Sequence, residues 1–173
     1  MRKIFLASLL VGAIAGCDTG GPAGAVFIAQ QVDFAPYAGW EKFSLGVAMN
    51  SGHPVGPQFG FRNMSPVGGA YSTGTILIKE IDVGDLPQQW ELFGMTKRGG
   101  GYNGGGAKEW EFFTLSLNDA RVPIIVSRGS NPSDQDSQGH GYAGSANGVT
   151  CNRCHGAVGT ETTDYVLDPL MMP

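Results

Sequence analysis

The stretch WELFGMTKRGGGYNGGGAKEWEFFTLSL, residues 90–117, contains the clearest sign of the fold class. It opens and closes with runs of strand length that are rich in aromatic and branched residues. Between them lies RGGGYNGGGA, residues 98–107, whose many glycines are typical of a flexible hairpin connection. A phosphate-binding loop would need a strand-to-helix context and a Lys-Ser or Lys-Thr ending, which this stretch lacks. We therefore predict an antiparallel β-hairpin here.

Similar runs lie on both sides of this hairpin. They are FGFRNM at 59–64, GTILIKEIDV at 74–83 and VPIIVSR at 122–128. The 28 glycines and 10 prolines of the chain disfavour long helices. Between Val26 and Met49, aromatic and aliphatic residues recur about every three positions, which predicts one short helix with Asp33 as its N-cap and Gly46 as its end. The predicted fold class is mainly β, an antiparallel β domain with a short N-terminal helix.

The first residues of the chain predict export. Two basic residues precede an uncharged apolar run at 4–16, which is too short for a membrane span and is typical of a signal peptide. AIAGC at 13–17 resembles the lipobox of bacterial lipoproteins, so Cys17 is the predicted lipidation site; an ordinary signal peptide is the alternative. The predicted segments are a lipoprotein signal peptide at 1–16, a flexible tether at 17–25 and one folded domain at 26–173.

Composition limits the partners. The 173 residues include 11 basic and 15 acidic ones, and loss of the two basic signal residues leaves nine against fifteen, a net charge of about −6. This balance argues against nucleic acid. No second apolar run approaches the roughly 20 residues of a spanning helix. We expect attachment to a membrane through lipid alone, on the periplasmic side of a bacterial cell envelope.

CNRCH at 151–155 carries the chemistry of the chain. A c-type haem needs two thiols for its vinyl groups and an imidazole directly after them for the iron, which this motif supplies. A structural zinc site needs about four ligands, and a redox disulfide of the thioredoxin type needs a βαβ neighbourhood; the sequence favours neither alternative. We predict one covalent haem c, with Cys151 and Cys154 as thioether anchors and His155 as iron ligand, in a C-terminal haem-binding segment.

Four elements together resemble the cytochrome P-460 family and its relative cytochrome c′-β. They are GTILIKE at 74–80, MTKRG at 95–99, KEWEFF at 108–113, and CNRCH followed by DYVL at 164–167. The resemblance spans about residues 34–168, and it implies that the domain at 26–173 is a haem domain like that of cytochrome P-460. It implies a mostly antiparallel β fold, usually homodimeric, with a C-terminal haem motif and a five-coordinate iron that is open on its distal side.

The resemblance implies two different functions. In cytochrome P-460 a lysine is bonded to the haem macrocycle, and a distal carboxylate relays protons while hydroxylamine is oxidised. In cytochrome c′-β an apolar pocket with phenylalanines binds nitric oxide. The sequence leaves open whether the protein is an enzyme or a gas binder, with a simple electron-transfer cytochrome as a third alternative. The expected partners are a small nitrogen-oxide ligand or substrate and a soluble or membrane redox protein.

Two side chains are the candidates for such chemistry. Lys79 ends a branched run and is our candidate for the cross-linking lysine, with Lys97 as the competing choice; the structural alternative is a lysine that reaches solvent at a strand end or pairs with a carboxylate. Glu111 shares one face of its predicted strand with Phe113 and Leu115, because side chains two apart point to the same side. A carboxylate on an apolar face suits a proton acceptor, so Glu111 is the candidate for that role, and the alternative is a glutamate that reaches solvent or pairs with a lysine.

Overall fold

A six-stranded antiparallel sheet is the central element of the computed structural model, which describes residues 24–47, 55–82, 84–86, 89–132 and 150–173. The strands are β1 (Glu41–Val47), β2 (Pro57–Arg62), β3 (Ile76–Ile81), β4 (Glu91–Lys97), β5 (Trp110–Leu117) and β6 (Pro123–Gly129). Their spatial order is their chain order, so each strand pairs with its neighbours in sequence. Helices in the described residues are short: α1 (Gln31–Phe34), α2 (Cys151–Val158) and the 3-10 turns Tyr37–Gly39 and Glu161–Thr163. The prediction of a mainly β, antiparallel fold is confirmed.

The predicted N-terminal helix exists but is a single turn, and its predicted boundaries are wrong. Gln30 is the N-cap of α1, and Asp33 lies in the first turn, where its carboxylate accepts a hydrogen bond of 2.7 Å from the Gln30 amide. Gly46 lies in β1, at a register shift and with φ of +79°, and ends no helix. Phe43 and Leu45, two residues apart, both pack on one side of the sheet, as strand residues do. The aromatic residues before them are spaced by three, which is typical of a helix, and this spacing hid the strand period of two in the sequence.

One side of the sheet packs against residues 24–40, which carry α1, and we call it the N-terminal face. Its buried side chains come from all central strands and from the covering segment: Phe34, Tyr37, Phe61, Ile76, Ile78, Leu92, Phe113, Leu115 and Leu117. The rings of Phe34 and Phe113 lie with centroids 5.0 Å apart. Burial of this apolar cluster is what holds the N-terminal segment on the sheet.

The opposite side packs against residues 150–173, and we call it the C-terminal face. Its buried cluster includes Tyr71, Leu77, Met95, Trp110 and Phe112 from the sheet and its loops, with Val166 and Met171 from the covering segment. Gly60 on β2 leaves room for Met171, because a Cβ at this position would overlap the Met171 side chain. The Tyr71 hydroxyl also donates a hydrogen bond of 2.5 Å to the Met171 carbonyl oxygen. The last residues of the chain are therefore packed on the sheet.

The glycine-rich connection at 98–107 joins β4 to β5, so the predicted hairpin is confirmed. Gly99, Gly100 and Gly101 have φ between +64° and +73°, which explains three consecutive glycines at this turn. Gly99 also forms a bridge with Val26 of the N-terminal segment. None of the helices in the described ranges is long and apolar enough to cross a membrane.

Candidate functional site

Helix α2 consists of the CNRCH motif and the three residues after it. Thr150 caps its start by accepting a hydrogen bond of 3.3 Å from the Arg153 amide, and Gly159 closes it by donating one of 2.9 Å to the His155 carbonyl oxygen. Cys151 is three positions before Cys154 and four before His155, so one side of the helix presents all three side chains. Both thiols are free. The structure thus brings the two predicted thioether cysteines and the predicted iron ligand together on one short helix.

The imidazole of His155 is held on both sides. Its Nδ1 lies 2.8 Å from the carbonyl oxygen of Tyr165, and its ring packs against Phe112 with centroids 5.1 Å apart. A carbonyl oxygen can only accept, so Nδ1 carries the proton and Nε2 carries the lone pair. Burial lowers the pKa of His155, partly against the hydrogen bond to Tyr165. The ring is therefore a neutral imidazole with Nε2 as its ligand atom.

The Tyr165 carbonyl belongs to an unusual turn. Asp164 and Tyr165 have φ of 47° and 61°, the left-handed region that few residues other than glycine adopt. The buried Asp164 carboxylate accepts three hydrogen bonds: 2.9 Å from the Tyr71 amide, 2.5 Å from Lys97 Nζ and 3.2 Å from Trp110 Nε1. Sequence reasoning missed Asp164 as a site residue. Its only signal was an acidic residue directly before the apolar stretch YVL.

Lys79 lies on the C-terminal face, between Leu77 and Ile81 on β3. Burial lowers its pKa, while Asp168 and Cys154 act in the opposite direction. Among the described residues, no group forms a hydrogen bond or an ion pair with its amine. Because burial disfavours the charged form, the amine is more often neutral, and thus more nucleophilic, than that of an exposed lysine.

Lys97, the competing lysine, lies on the same face but is occupied. Besides the bond to Asp164, its amine lies 3.4 Å from the Lys108 carbonyl oxygen and 3.9 Å from a Glu109 carboxylate oxygen. A cation fixed in this way is a poor nucleophile, because its lone pair is protonated. Of the two lysines, Lys79 is the one whose amine has no carboxylate in contact within the part of the chain that the structure describes.

Glu111 lies on the other side of the sheet. Its predicted strand face is confirmed, since it points to the N-terminal face with Phe113 and Leu115. There its carboxylate accepts hydrogen bonds of 3.2 Å from Arg98 and of 2.8 and 2.9 Å from Arg128. The neighbours of Glu111 in β5, Trp110 and Phe112, point to the C-terminal face. The structure therefore does not bring Glu111 to Lys79 and His155, and its geometry gives no support to a proton-acceptor role there.

The glycine-rich connection forms a fitted surface for α2. The side-chain oxygen of Asn152 accepts hydrogen bonds of 2.6 Å from Asn103 and 2.9 Å from the Ala107 amide. A Cβ on Gly106 would overlap the Asn152 amide, and one on Gly156 would lie 2.9 Å from the backbone of Gly106. The connection is thus a specific contact and not the flexible loop that its composition predicted. Asn152 lies inside the motif and Gly156 directly follows it, but nothing in the sequence indicated that this helix would contact the glycine-rich connection.

The donor atoms of these residues indicate which metal or cofactor they could hold. The described residues contain no cluster of three or more His, Cys, Asp or Glu side chains placed to hold a metal ion. The two free thiols and the imidazole of α2 match the donor set of a covalent haem, because thiols attach the porphyrin and Nε2 alone coordinates iron. Cys17, His53 and His140 lie outside the described residues.

We compared the chain with protein-family models, with curated proteins and with solved structures, and found no match in any of the three. Support for a function therefore comes from the residues and contacts of this chain itself.

Proposed function

We propose that the protein is an exported, lipid-anchored c-type cytochrome with one haem, of the cytochrome P-460 type, which binds or oxidises hydroxylamine or nitric oxide at an open iron site. One observation carries the proposal. Next to two free thiols on α2, the hydrogen bond from His155 Nδ1 to Tyr165 leaves Nε2 as a ligand atom.

In this proposal Cys151 and Cys154 form the thioether bonds and His155 binds the iron. The haem supplies the redox chemistry once it is bound. The chain positions the imidazole: its Nδ1 proton is donated to Tyr165, which makes Nε2 more basic, and Phe112 packs against the ring. The resemblance to the family in 74–80, 108–113 and 164–167 supports the proposal further.

The amine of Lys79 supports the enzymatic form of the proposal. It shares the C-terminal face with α2, burial lowers its pKa, and the Cys154 thiol is among the groups that act on it. A partly neutral amine beside the motif is the group that a bond to the macrocycle would need.

A second function, nitric-oxide binding without catalysis, is favoured by one other observation. Phenylalanine side chains lie beside both groups of the candidate site: Phe93 pairs in register with Lys79, and Phe112 packs on His155. Glu111, the candidate proton acceptor, is on the opposite face. Phenylalanines at the site without this carboxylate suit a gas ligand such as that of cytochrome c′-β.

The remaining parts of the proposal concern location and partners. Export by residues 1–16 and lipidation of Cys17 would hold the protein on the periplasmic side of a membrane; both segments lie outside the described residues. A soluble or membrane-bound redox protein would exchange electrons with it, and we propose a homodimer by resemblance to the family. Replacement of Cys17 by Ser tests the anchor: the protein should move from the membrane fraction to the soluble fraction.

The haem itself is tested by a pyridine haemochrome assay on full-length protein exported by a bacterium that attaches haem c. We expect a c-type spectrum and one haem on the peptide that contains 151–155. A protein without a c-type signal under these conditions would overturn the proposal. A low-spin ferrous spectrum that nitric oxide does not change would instead favour an electron carrier.

Mass spectrometry of the haem peptide then separates the enzyme from the gas binder. In the enzyme, a second peptide containing Lys79 remains attached to the haem, and the Soret band of the ferrous protein is strongly red-shifted. Replacement of Lys79 by Arg should abolish both signs, because a guanidinium keeps the charge but is a poor nucleophile. Replacement of the exposed Lys108 by Arg is the matched control. Haem peptide without a lysine peptide in the wild type would favour the nitric-oxide binder.

A further inference from the structure

The turn at Asp164 and Tyr165 has a backbone that must be held in place. A non-glycine residue in a sparsely populated region of φ and ψ costs free energy, and such conformations persist only where surrounding contacts determine them. Here two follow each other, and the second is an aromatic residue. Backbone hydrogen bonds from Asp164 to Glu161 and from Tyr165 to Thr160 close the turn on itself, and the contacts of the Asp164 carboxylate add the restraint that ties it to the rest of the domain.

Three parts of the sheet supply that restraint. Tyr71 lies in the connection between β2 and β3, Lys97 ends β4 and Trp110 begins β5, and each donates a hydrogen bond to the Asp164 carboxylate. The ion pair with Lys97 is little screened by solvent, since the Lys97 and Asp164 side chains are 9% and 6% exposed. Removal of one partner from a pair of this kind leaves an uncompensated buried charge.

The turn also touches α2 at two points. Tyr165 accepts the hydrogen bond from His155 Nδ1, and a Cβ on Gly159 would lie 2.7 Å from the Tyr165 Cα. Asp164 has no contact with the imidazole of its own. Any effect on His155 must pass through the Tyr165 carbonyl, whose direction depends on the left-handed turn.

We propose that Asp164, through its ion pair with Lys97, is a positioning residue for His155: it fixes the turn that aims the Tyr165 carbonyl at Nδ1. In this way it selects the tautomer with the proton on Nδ1 and points Nε2 away from the turn. The inference depends on the proposed function only in making Nε2 an iron ligand. The selection of the tautomer is a property of the chain alone.

The test uses nitrogen-15 NMR of histidine in the full chain, prepared without haem in mild detergent, at a pH where the imidazoles are neutral. The chain has three histidines, and a His155→Gln variant identifies the signals of His155. Wild-type His155 should carry its proton on Nδ1. In D164N the ratio of the Nδ1-protonated to the Nε2-protonated form should fall about tenfold, the size expected for loss of one hydrogen bond.

Two further variants separate positioning from folding. E161Q removes another acidic side chain of the same segment, one that is exposed and pairs only with the exposed Lys108, and should leave the tautomer ratio unchanged. Should D164N fail to fold, the double variant K97M/D164N removes both charges and leaves no unpaired one in the core. An unchanged ratio in folded D164N, or in the folded double variant, would overturn the proposal.

The haem-loaded protein gives an independent reading. Loss of the hydrogen bond makes Nε2 less basic, so the ferric state loses stabilisation and the midpoint potential should shift upward by up to about 59 mV, a tenfold change for one electron. E161Q should show no such shift. Absence of bound haem would refute the proposed function but leave the tautomer result standing, so the two failures are distinguishable.

Discussion

The two faces of the sheet are each closed by a terminal segment that is held in part through buried carboxylates, but these carboxylates belong to the sheet on one face and to the covering segment on the other. On the N-terminal face the acids, Glu111 and Glu80, belong to the sheet, and the Tyr37 hydroxyl of the covering segment donates a hydrogen bond of 2.8 Å to Glu80. The covering segment also contributes a backbone group, because Arg128 donates 2.7 Å to the Ala29 carbonyl oxygen and binds Glu111 as well. On the C-terminal face the acid, Asp164, belongs to the covering segment, and the sheet and its loops supply three donors.

This difference shows what each closure can specify. A backbone carbonyl is present at every residue, so the arginine contact requires no particular side chain at Ala29, and each polar contact of the N-terminal segment, including the one from Tyr37 to Glu80, joins a single pair of groups. A carboxylate that meets three donors fixes both the position and the conformation of the C-terminal segment. The second arrangement is the one found beside the CNRCH motif.

The largest expected effect concerns the C-terminal closure, whose burial of Cys151 should slow the alkylation of this thiol. Burial raises the pKa of its thiol to about 11 from the ordinary 9.0, so the folded chain holds about a hundredfold less thiolate at neutral pH than the unfolded chain. Alkylation of Cys151 by iodoacetamide in the folded, haem-free protein should be slower than in urea by at least this factor. Its rate should rise about tenfold per pH unit up to about pH 11. Equal rates with and without urea would mean that the closure is open.

The N-terminal closure should lose stability when its carboxylate is neutralised. Replacement of Glu111 by Gln leaves Arg98 and Arg128 without their counter-charge, and we expect a loss of about 2–3 kcal/mol in the free energy of unfolding. The expected loss is at or below the lower end of the losses typical of breaking fully buried ion pairs, because the arginine side chains are 27% and 31% exposed.

Urea unfolding measures this loss, and E41Q is the matched control, since the Glu41 side chain that pairs with Arg62 is 49% exposed and its neutralisation should cost less than that of the buried Glu111. The His155 tautomer should be unchanged in E111Q. A changed tautomer would show that the two faces are coupled and would undo the contrast between the closures.

The fit of α2 on the glycine-rich connection predicts a smaller effect. An alanine at Gly106 would overlap the Asn152 side chain and should cost about 1–2 kcal/mol, as overpacking of a filled contact does. The neighbouring Gly105 has open space around its Cβ direction, so G105A should be neutral or slightly stabilising. Thermal unfolding of the two variants measures the difference, and equal stability would contradict the close contact.

Lys79 gives the smallest expected effect, one that depends on pH. Its pKa is lower in the folded than in the unfolded chain, so the unfolded chain binds more protons between the lowered value and the ordinary 10.5. The penalty is therefore complete below the lowered value and is relieved as the pH rises through that window.

The haem-free variant K79M should be more stable than the wild type at pH 7, by less than about 1 kcal/mol, and the difference should shrink toward pH 10.5. Urea unfolding at the two pH values checks this. K108M, at a side chain that is 55% exposed, is the control and should show no such trend. A K79M advantage that persists at high pH would rule out charge burial as its cause.

The strands of the sheet were predictable because their residues alternate or are continuously apolar over strand length. β5 illustrates this, since the side on which Glu111 lies followed from its parity with Phe113 alone. β1 was missed, because Phe43 and Leu45 follow earlier aromatics spaced by three, and that spacing imitates a helix.

The candidate site was predictable only where its chemistry is local. The three side chains of the motif that would bind the haem lie within five consecutive positions. The residues that hold the motif in place are far apart in sequence: Asp164 lies 93 positions from Tyr71 and 67 from Lys97. Lys79 and Lys97 lie on the same face of neighbouring strands. What distinguishes them is the ion pair of Lys97 with Asp164, a residue that is distant in sequence. No pattern along the chain reports such a contact.

The order of the strands bears on when the proposed haem could be attached during folding. Each strand pairs with its sequence neighbours, so the sheet can assemble through short-range steps, which are fast. The C-terminal segment makes contacts across about 100 positions, as between Tyr71 and Met171, and these form slowly. The thiols of CNRCH thus remain accessible during the early part of folding, and the docking of the segment afterwards withdraws Cys151 from reaction. Thioether formation and the final folding step would then compete for the same interval of time.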